Sequence, residues 1–206
     1  MSKTSIYVIL DRSGSMESCR ADTIGGFNTF IKKQKELKAD TAFLSLYLFD
    51  HIYEISFENK KIDQVEPLSY ETFEPRGQTA LLDAIGKTIT SIKDDDSNVI
   101  IVIITDGEEN SSREFSKTKI NELISQKKEK GWEFVFLGAN QDAIQEASKL
   151  GICGTAALTY STNHSSEAFT CLSGAISRSR STPMKNDKKI EFTDEERMSA
   201  LKIKEN

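Results

Sequence analysis

Ser5 opens a run, Ile6-Tyr7-Val8-Ile9-Leu10, that is apolar without alternation and stops at Asp11. That pattern predicts a strand buried on both faces. Over residues 18–37 the period changes: Ile24, Phe27, Phe30 and Ile31 recur at helical spacing, with Lys and Glu on the other side. Residues 41–49 and 52–57 both read as strands, separated by Asp50-His51, and the second alternates apolar with polar. Two strands so close in sequence predict a hairpin, hence one antiparallel strand at an edge. A polar stretch carrying Pro67 and Pro75 runs to Gly77, and Leu81, Leu82, Ile85, Ile89 and Ile92 then mark a helix over 80–92.

Residues 99–104, Val-Ile-Ile-Val-Ile-Ile, form the most hydrophobic run, set between Asp94-Asp95-Asp96 and Thr105-Asp106-Gly107. It should be a central strand covered on both faces. A helix over 115–130 follows with Gly131 as its C-cap, then a strand over 133–137, a helix over 141–150 stopped by Gly151, a strand over 155–159 and a helix over 165–179. Trp132 is expected in the core or as a plug at the sheet end. Parallel strands joined by helices give an α/β fold. The expectation is a doubly wound, mostly parallel central sheet with one antiparallel edge strand and helices on both faces. Residues 1–182 read as one domain. Residues 183–206 read as a polar tail, either a short docking helix with Thr193 as N-cap and Glu196 at the capping-box position, or an unstructured end.

The chain has 206 residues, enough for one full-sized core. No apolar run reaches the ~20 residues that cross a bilayer, and the first residues lack an apolar leader. A cytoplasmic protein without membrane attachment is expected. The net charge of −5 and the short, separated Lys/Arg clusters disfavour nucleic acid as a partner. Cys19, Cys153 and Cys171 are odd in number and far apart, so neither a disulfide framework nor a zinc site is expected.

Candidate chemistry gathers at the strand ends, where open α/β sheets bind ligands. The first strand ends in Asp11-Arg12-Ser13-Gly14-Ser15, the central one in Thr105-Asp106-Gly107, and Arg76-Gly77-Gln78-Thr79 precedes the helix over 80–92. These segments converge if the first and fourth strands are neighbours. Hydroxyls and carboxylates without nearby His or Cys suit a hard cation such as Mg²⁺. In an extended loop Asp11, Ser13 and Ser15 point the same way, and Gly14 is expected to allow the tight turn. Arg12 and Met16 are expected to flank the site, with Met16 as an apolar contact for a partner. Glu108, Glu109 and Asn110 read as solvated rim residues, and His51 as a surface turn residue.

Asp11-x-Ser13-x-Ser15, Thr79 and Asp106-Gly107 together resemble the metal-ion-dependent adhesion site of von Willebrand factor A domains, also seen in integrin inserted domains. The stretch Phe134 to Asp142 looks like that of bacterial and phage-encoded single-domain members. The resemblance implies that Ser13, Ser15 and Thr79 contact the metal, while Asp11 and Asp106 act mostly through waters and by holding the hydroxyls. It implies Mg²⁺, with Mn²⁺ or Ca²⁺ as substitutes, and a protein partner that offers a Glu or Asp to the metal. An enzyme is not expected: the chain has no phosphate loop and no G-x-S-x-G elbow, and its two histidines, His51 and His164, are not expected near the crevice. Two other readings stay open, an aspartyl-phosphate type phosphotransferase using Asp11 and a structural domain with an unused site. Thr79 could instead cap the helix it precedes.

Overall fold

The computed structural model describes residues 3–93, 98–140, 142–182 and 189–201. Its six-stranded sheet is built from β1 (Lys3–Asp11), β2 (Thr41–Phe49), β3 (Tyr53–Lys61), β4 (Asn98–Thr105), β5 (Glu133–Ala139) and β6 (Ala157–Tyr160). The spatial order is β3-β2-β1-β4-β5-β6, and only β3 runs antiparallel. The unalternating runs lie in the middle: Ile9, Leu10 and every residue from Ile100 to Ile104 are inaccessible to solvent.

The helices are α1 (Arg20–Glu36), α2 (Leu81–Ser91), α3 (Lys117–Glu129), α4 (Ala143–Lys149), α5 (Ser165–Ser181) and α6 (Asp194–Leu201). One core joins the sheet to the apolar sides of α1 and α5 through Phe27, Phe30, Phe169 and Leu172. The other joins it to α2, α3 and α4 through Ile85, Ile89, Ile120 and Ala147. The sheet is therefore doubly wound, as the alternating pattern implies. Trp132 is buried in the second core, with Lys127 Nζ 4.2 Å from its ring centroid.

Several expected boundaries move for local reasons. Residues 14–19 form a 3-10 turn, so α1 starts only at Arg20. Residues 154–156 are likewise a 3-10 turn, so the last strand is shorter and later than 155–159. Helix α4 begins after Asp142, whose carboxylate accepts from Gln145 N at 3.0 Å. Gln141 and the Asp94-Asp95-Asp96 run lie outside the described residues.

The segment after residue 188 packs on the rest of the molecule. Ile190, Phe192 and Ala200 join the first core. The capping box is made: Glu196 N donates to Thr193 Oγ1 at 3.2 Å, and Thr193 N to Glu196 Oε2 at 2.9 Å. Arg197 donates to the carbonyls of Ala157, Gly154 and Thr155 at 2.7, 3.1 and 2.8 Å, which covers the outer side of β6.

Candidate metal centre

Strand order reverses around β1, which pairs with β2 on one side and β4 on the other. That switch point sets the carboxyl end of β1 beside that of β4 and opens a crevice between the connections that leave in opposite directions. Asp11 closes β1 and Asp106 follows β4 directly.

Asp11 is fully buried and both its oxygens are engaged. Oδ1 accepts from Ser13 N at 2.6 Å and Oδ2 from Thr105 Oγ1 at 2.5 Å. The first bond folds the loop back at once and sends Ser13 and Ser15 to the same side. Ser13 Oγ and Ser15 Oγ stand 3.1 Å apart, and Ser15 Oγ donates to Asp106 Oδ1 at 2.6 Å. With the Ser15 proton committed to Asp106, Ser13 donates to Ser15, and lone pairs of both hydroxyls are left free.

Thr79 completes the set from a third segment. A methyl group built on Gly107 would lie 2.9 Å from Thr79 Oγ1, 3.5 Å from Ser15 Oγ and 3.7 Å from Asp11 Oδ2. Oxygens from the β1 loop and from Thr79 thus surround one small space, which Gly107, on the loop after β4, keeps open. Thr79 does not cap α2: the N-cap position is Ala80, with no side-chain cap, and Thr79 Oγ1 has no hydrogen-bond partner among the described residues. The loop after β4 satisfies the start of α2 instead. Glu109 Oε2 accepts from Leu82 N at 2.9 Å, and Asn110 Oδ1 accepts from Thr79 N at 2.9 Å. Asp83 returns the favour to that loop, accepting from the backbone N–H of Arg113, Glu114 and Phe115.

A second network ties the same loops from the β2 side. Buried Asp50 accepts from Arg12 Nε at 3.2 Å, Arg76 Nε at 2.9 Å and Ile52 N at 2.6 Å. Gly14 N donates to Gly77 O at 3.2 Å and Arg76 N to Arg12 O at 2.8 Å.

Electrostatically the centre is short of positive charge. Burial pushes the Asp11 carboxyl up to about 6, against hydrogen bonds from Thr105 and Ser13 that lower it, with Asp106 adding repulsion. Burial also raises the Asp106 carboxyl, against its bond from Ser15. Two carboxylates facing one buried space, with neutral hydroxyls between them, suit a hard cation held by oxygen. Among the described residues no group of three or more His, Cys, Asp or Glu forms a softer site.

All five expected residues, Asp11, Ser13, Ser15, Thr79 and Asp106, therefore meet at one place. Other expectations at this edge are corrected. Met16 is fully buried, its sulfur 3.9 Å from Cys19 Sγ, so it belongs to the core and presents nothing to a partner. Gly14 is not at a positive φ; the left-handed position is Gly77, at φ 67°, where a Cβ would strike His51 Nδ1 at 2.2 Å. His51 is half-exposed beside Asp50 and lies against Gly77, at the margin of the crevice. His164 is buried after β6, also at the carboxyl edge. Glu109, half-buried, and Asn110 brace the segment that starts α2, while Asn110 and Glu108 are exposed as expected of rim residues. The roles of Thr105, Asp50 and Asp83 were not anticipated, and only the Thr105-Asp106 adjacency offered a signal.

The von Willebrand factor type A domain pattern matches residues 5–173, and the chain belongs to that family. Members often bind metal through a metal-ion-dependent adhesion site and mediate protein interactions. Among solved structures, proximal thread matrix protein 1 from the mussel byssus, with a zinc-occupied site of that kind, superposes with a TM-score of 0.61 at 16% identity, over 82% of this chain and 46% of its own. This chain thus spans less than half the length of that protein. The domain of the pilus tip protein Mfa5 from Porphyromonas gingivalis gives 0.68 at 11% identity, over 91% of this chain and 99% of its own. The manganese-loaded TRAP protein of Plasmodium vivax gives 0.53 at 16% identity, over 80% and 71%. At such identities the likeness speaks for the fold. No curated protein matches the sequence. Among the described residues no helix is long and apolar enough to cross a membrane.

Proposed function

We propose that the chain is a divalent-cation-dependent protein-binding module, with Mg²⁺ as its ion, held by Ser13, Ser15 and Thr79 and oriented by Asp11 and Asp106. The observation that carries this reading is the small space at Gly107, walled by oxygens of Thr79, Ser15 and Asp11 at 2.9, 3.5 and 3.7 Å. When bound, the cation supplies a positive centre with an open position for an anionic ligand. Asp11 holds the Ser13 amide and the Thr105 hydroxyl, so the loop stays folded. Asp106 accepts a hydrogen bond from Ser15 Oγ, which leaves hydroxyl lone pairs free for the cation. With Ser13, Ser15 and Thr79 as neutral ligands, the cation would keep positive charge for a Glu or Asp of a partner protein.

Asp11 has both oxygens engaged and no solvent exposure, which argues against its use as a phosphoryl acceptor. The test is titration calorimetry with Mg²⁺, Mn²⁺ and Ca²⁺ on the native chain and on Asp11→Ala. Saturable one-site binding that the variant lacks is expected. Equal heats in both proteins, or none in either, would refute the reading.

A further inference from the structure

A polar cleft of about 250 Å³ opens beside the centre, between the turn after β2, the start of α2 and the loop at 111–114. Its wall residues Gln78 and Ala80 bracket Thr79, and Ser111 N, from the opposite wall, donates to Thr79 O at 3.2 Å. The cleft therefore adjoins the centre at Thr79.

The charges around the cleft are unequally committed. The Asp83 carboxylate is occupied by three backbone N–H groups. Glu114 pairs with Lys87 at 2.7 Å, and His51 with Asp50 at 3.1 Å. Three donors are left over. Among the described residues the Arg113 guanidinium, the Gln78 amide and the Ser111 hydroxyl have no hydrogen-bond or ion-pair partner, and all three line the cleft. With the cleft's carboxylates bonded within the chain and the exposed Arg113 and Gln78 donors facing only solvent, the cleft suits a ligand rich in acceptors, and a guanidinium takes a carboxylate with two parallel bonds.

We propose that this cleft is a second recognition subsite, in which Arg113 reads an acidic side chain that the partner carries near the carboxylate offered to the centre. The proposal rests on the metal-bridged reading of that centre. The partner segment is then doubly acidic: one carboxylate goes to the cation, and the other enters the cleft on the Thr79 side. Gln78 adds a bond to the second carboxylate, and the Lys87–Glu114 pair closes the far end against a larger group.

The test uses labelled short peptides in a glycine–serine background. Each carries one fixed Glu and a second Glu at each successive spacing, with Gln in its place as control. They are titrated with the full chain in excess Mg²⁺ and in EDTA. Arg113 is exposed, and its backbone N–H rather than its side chain holds Asp83, so Arg113→Ala and Arg113→Glu should fold with unchanged thermal midpoints. At one spacing the second Glu should tighten binding roughly tenfold over Gln, the size of one charge-assisted pair partly screened by water. Arg113→Ala should erase that gain, and Arg113→Glu should transfer it to a peptide with Lys at the same place. A gain that is the same in Arg113→Ala, or absent at every spacing, overturns the subsite. Arg113-dependent binding that survives EDTA keeps the subsite and overturns the metal bridge. Binding lost in EDTA but indifferent to Arg113 does the reverse.

Discussion

At Asp11 the cost of building the centre is concentrated in one side chain. Its carboxyl is raised from the ordinary 3.8 to about 6 by burial, so the metal-free folded state holds that proton more tightly than the unfolded chain does. The stabilisation this lends is complete below about 3.8 and is lost as pH rises through about 6. The gap corresponds to about 3 kcal/mol. In EDTA, unfolding by urea should show the native chain losing stability from about pH 3.5 to about pH 7, by an amount of that order, relative to Asp11→Asn. A parallel pH dependence in both proteins would contradict this. Gly107 offers a second test at the same scale. Its φ is ordinary, so Gly107→Ala meets no backbone strain, yet the methyl would sit among Thr79, Ser15 and Asp11. Calorimetry should show cation binding weakened at least about tenfold, with circular dichroism unchanged.

The elements hold the centre through reciprocal bracing. Glu109 satisfies the start of α2 and the Ser111 and Ser112 amides, while Asp83, on α2, satisfies the loop that carries Glu109. Removing either carboxylate orphans several N–H groups at once. Asp83→Ala should cost about 2–4 kcal/mol in urea unfolding, well above the ~1 kcal/mol of an ordinary cap. A loss under 1 kcal/mol would show the bracing to be dispensable.

These braces explain what could and could not be seen in the chain. Strand cores such as residues 100–104 declare themselves, because burial on both faces leaves no polar position. The hairpin followed from the short Asp50-His51 link. Asp11, Ser13, Ser15, Thr79 and Asp106 were visible because their order around the strand ends resembles a known metal-binding motif. Glu109 and Asp83 were not, because a carboxylate that caps another segment looks like any surface acid until the pairing is known. The 3-10 turn over 14–19 was hidden for a similar reason. The turn takes the first hydrophobic residue, Met16, into the core, an arrangement that the helical period of α1 does not report.

For the whole molecule, the sheet is closed at one edge by the last described segment. Ile190 and Phe192 bury apolar surface, and Arg197 covers the carbonyls around β6. Truncation after residue 182 removes two large buried side chains and re-exposes that edge. It should destabilise the domain by about 3–5 kcal/mol and promote association at higher concentration. Sedimentation and urea unfolding check both, and an unchanged midpoint in a monomeric truncation would contradict the edge-covering role. A cation that binds only the folded chain must also raise its melting temperature in proportion to the logarithm of concentration.

The most direct measurement is anomalous X-ray scattering from a crystal of the chain grown with Mn²⁺. The account requires a single strong peak among the hydroxyls of Ser13, Ser15 and Thr79, absent in Asp11→Ala. A well-ordered crystal in ample Mn²⁺ with no peak there, or with its peak elsewhere, would contradict it.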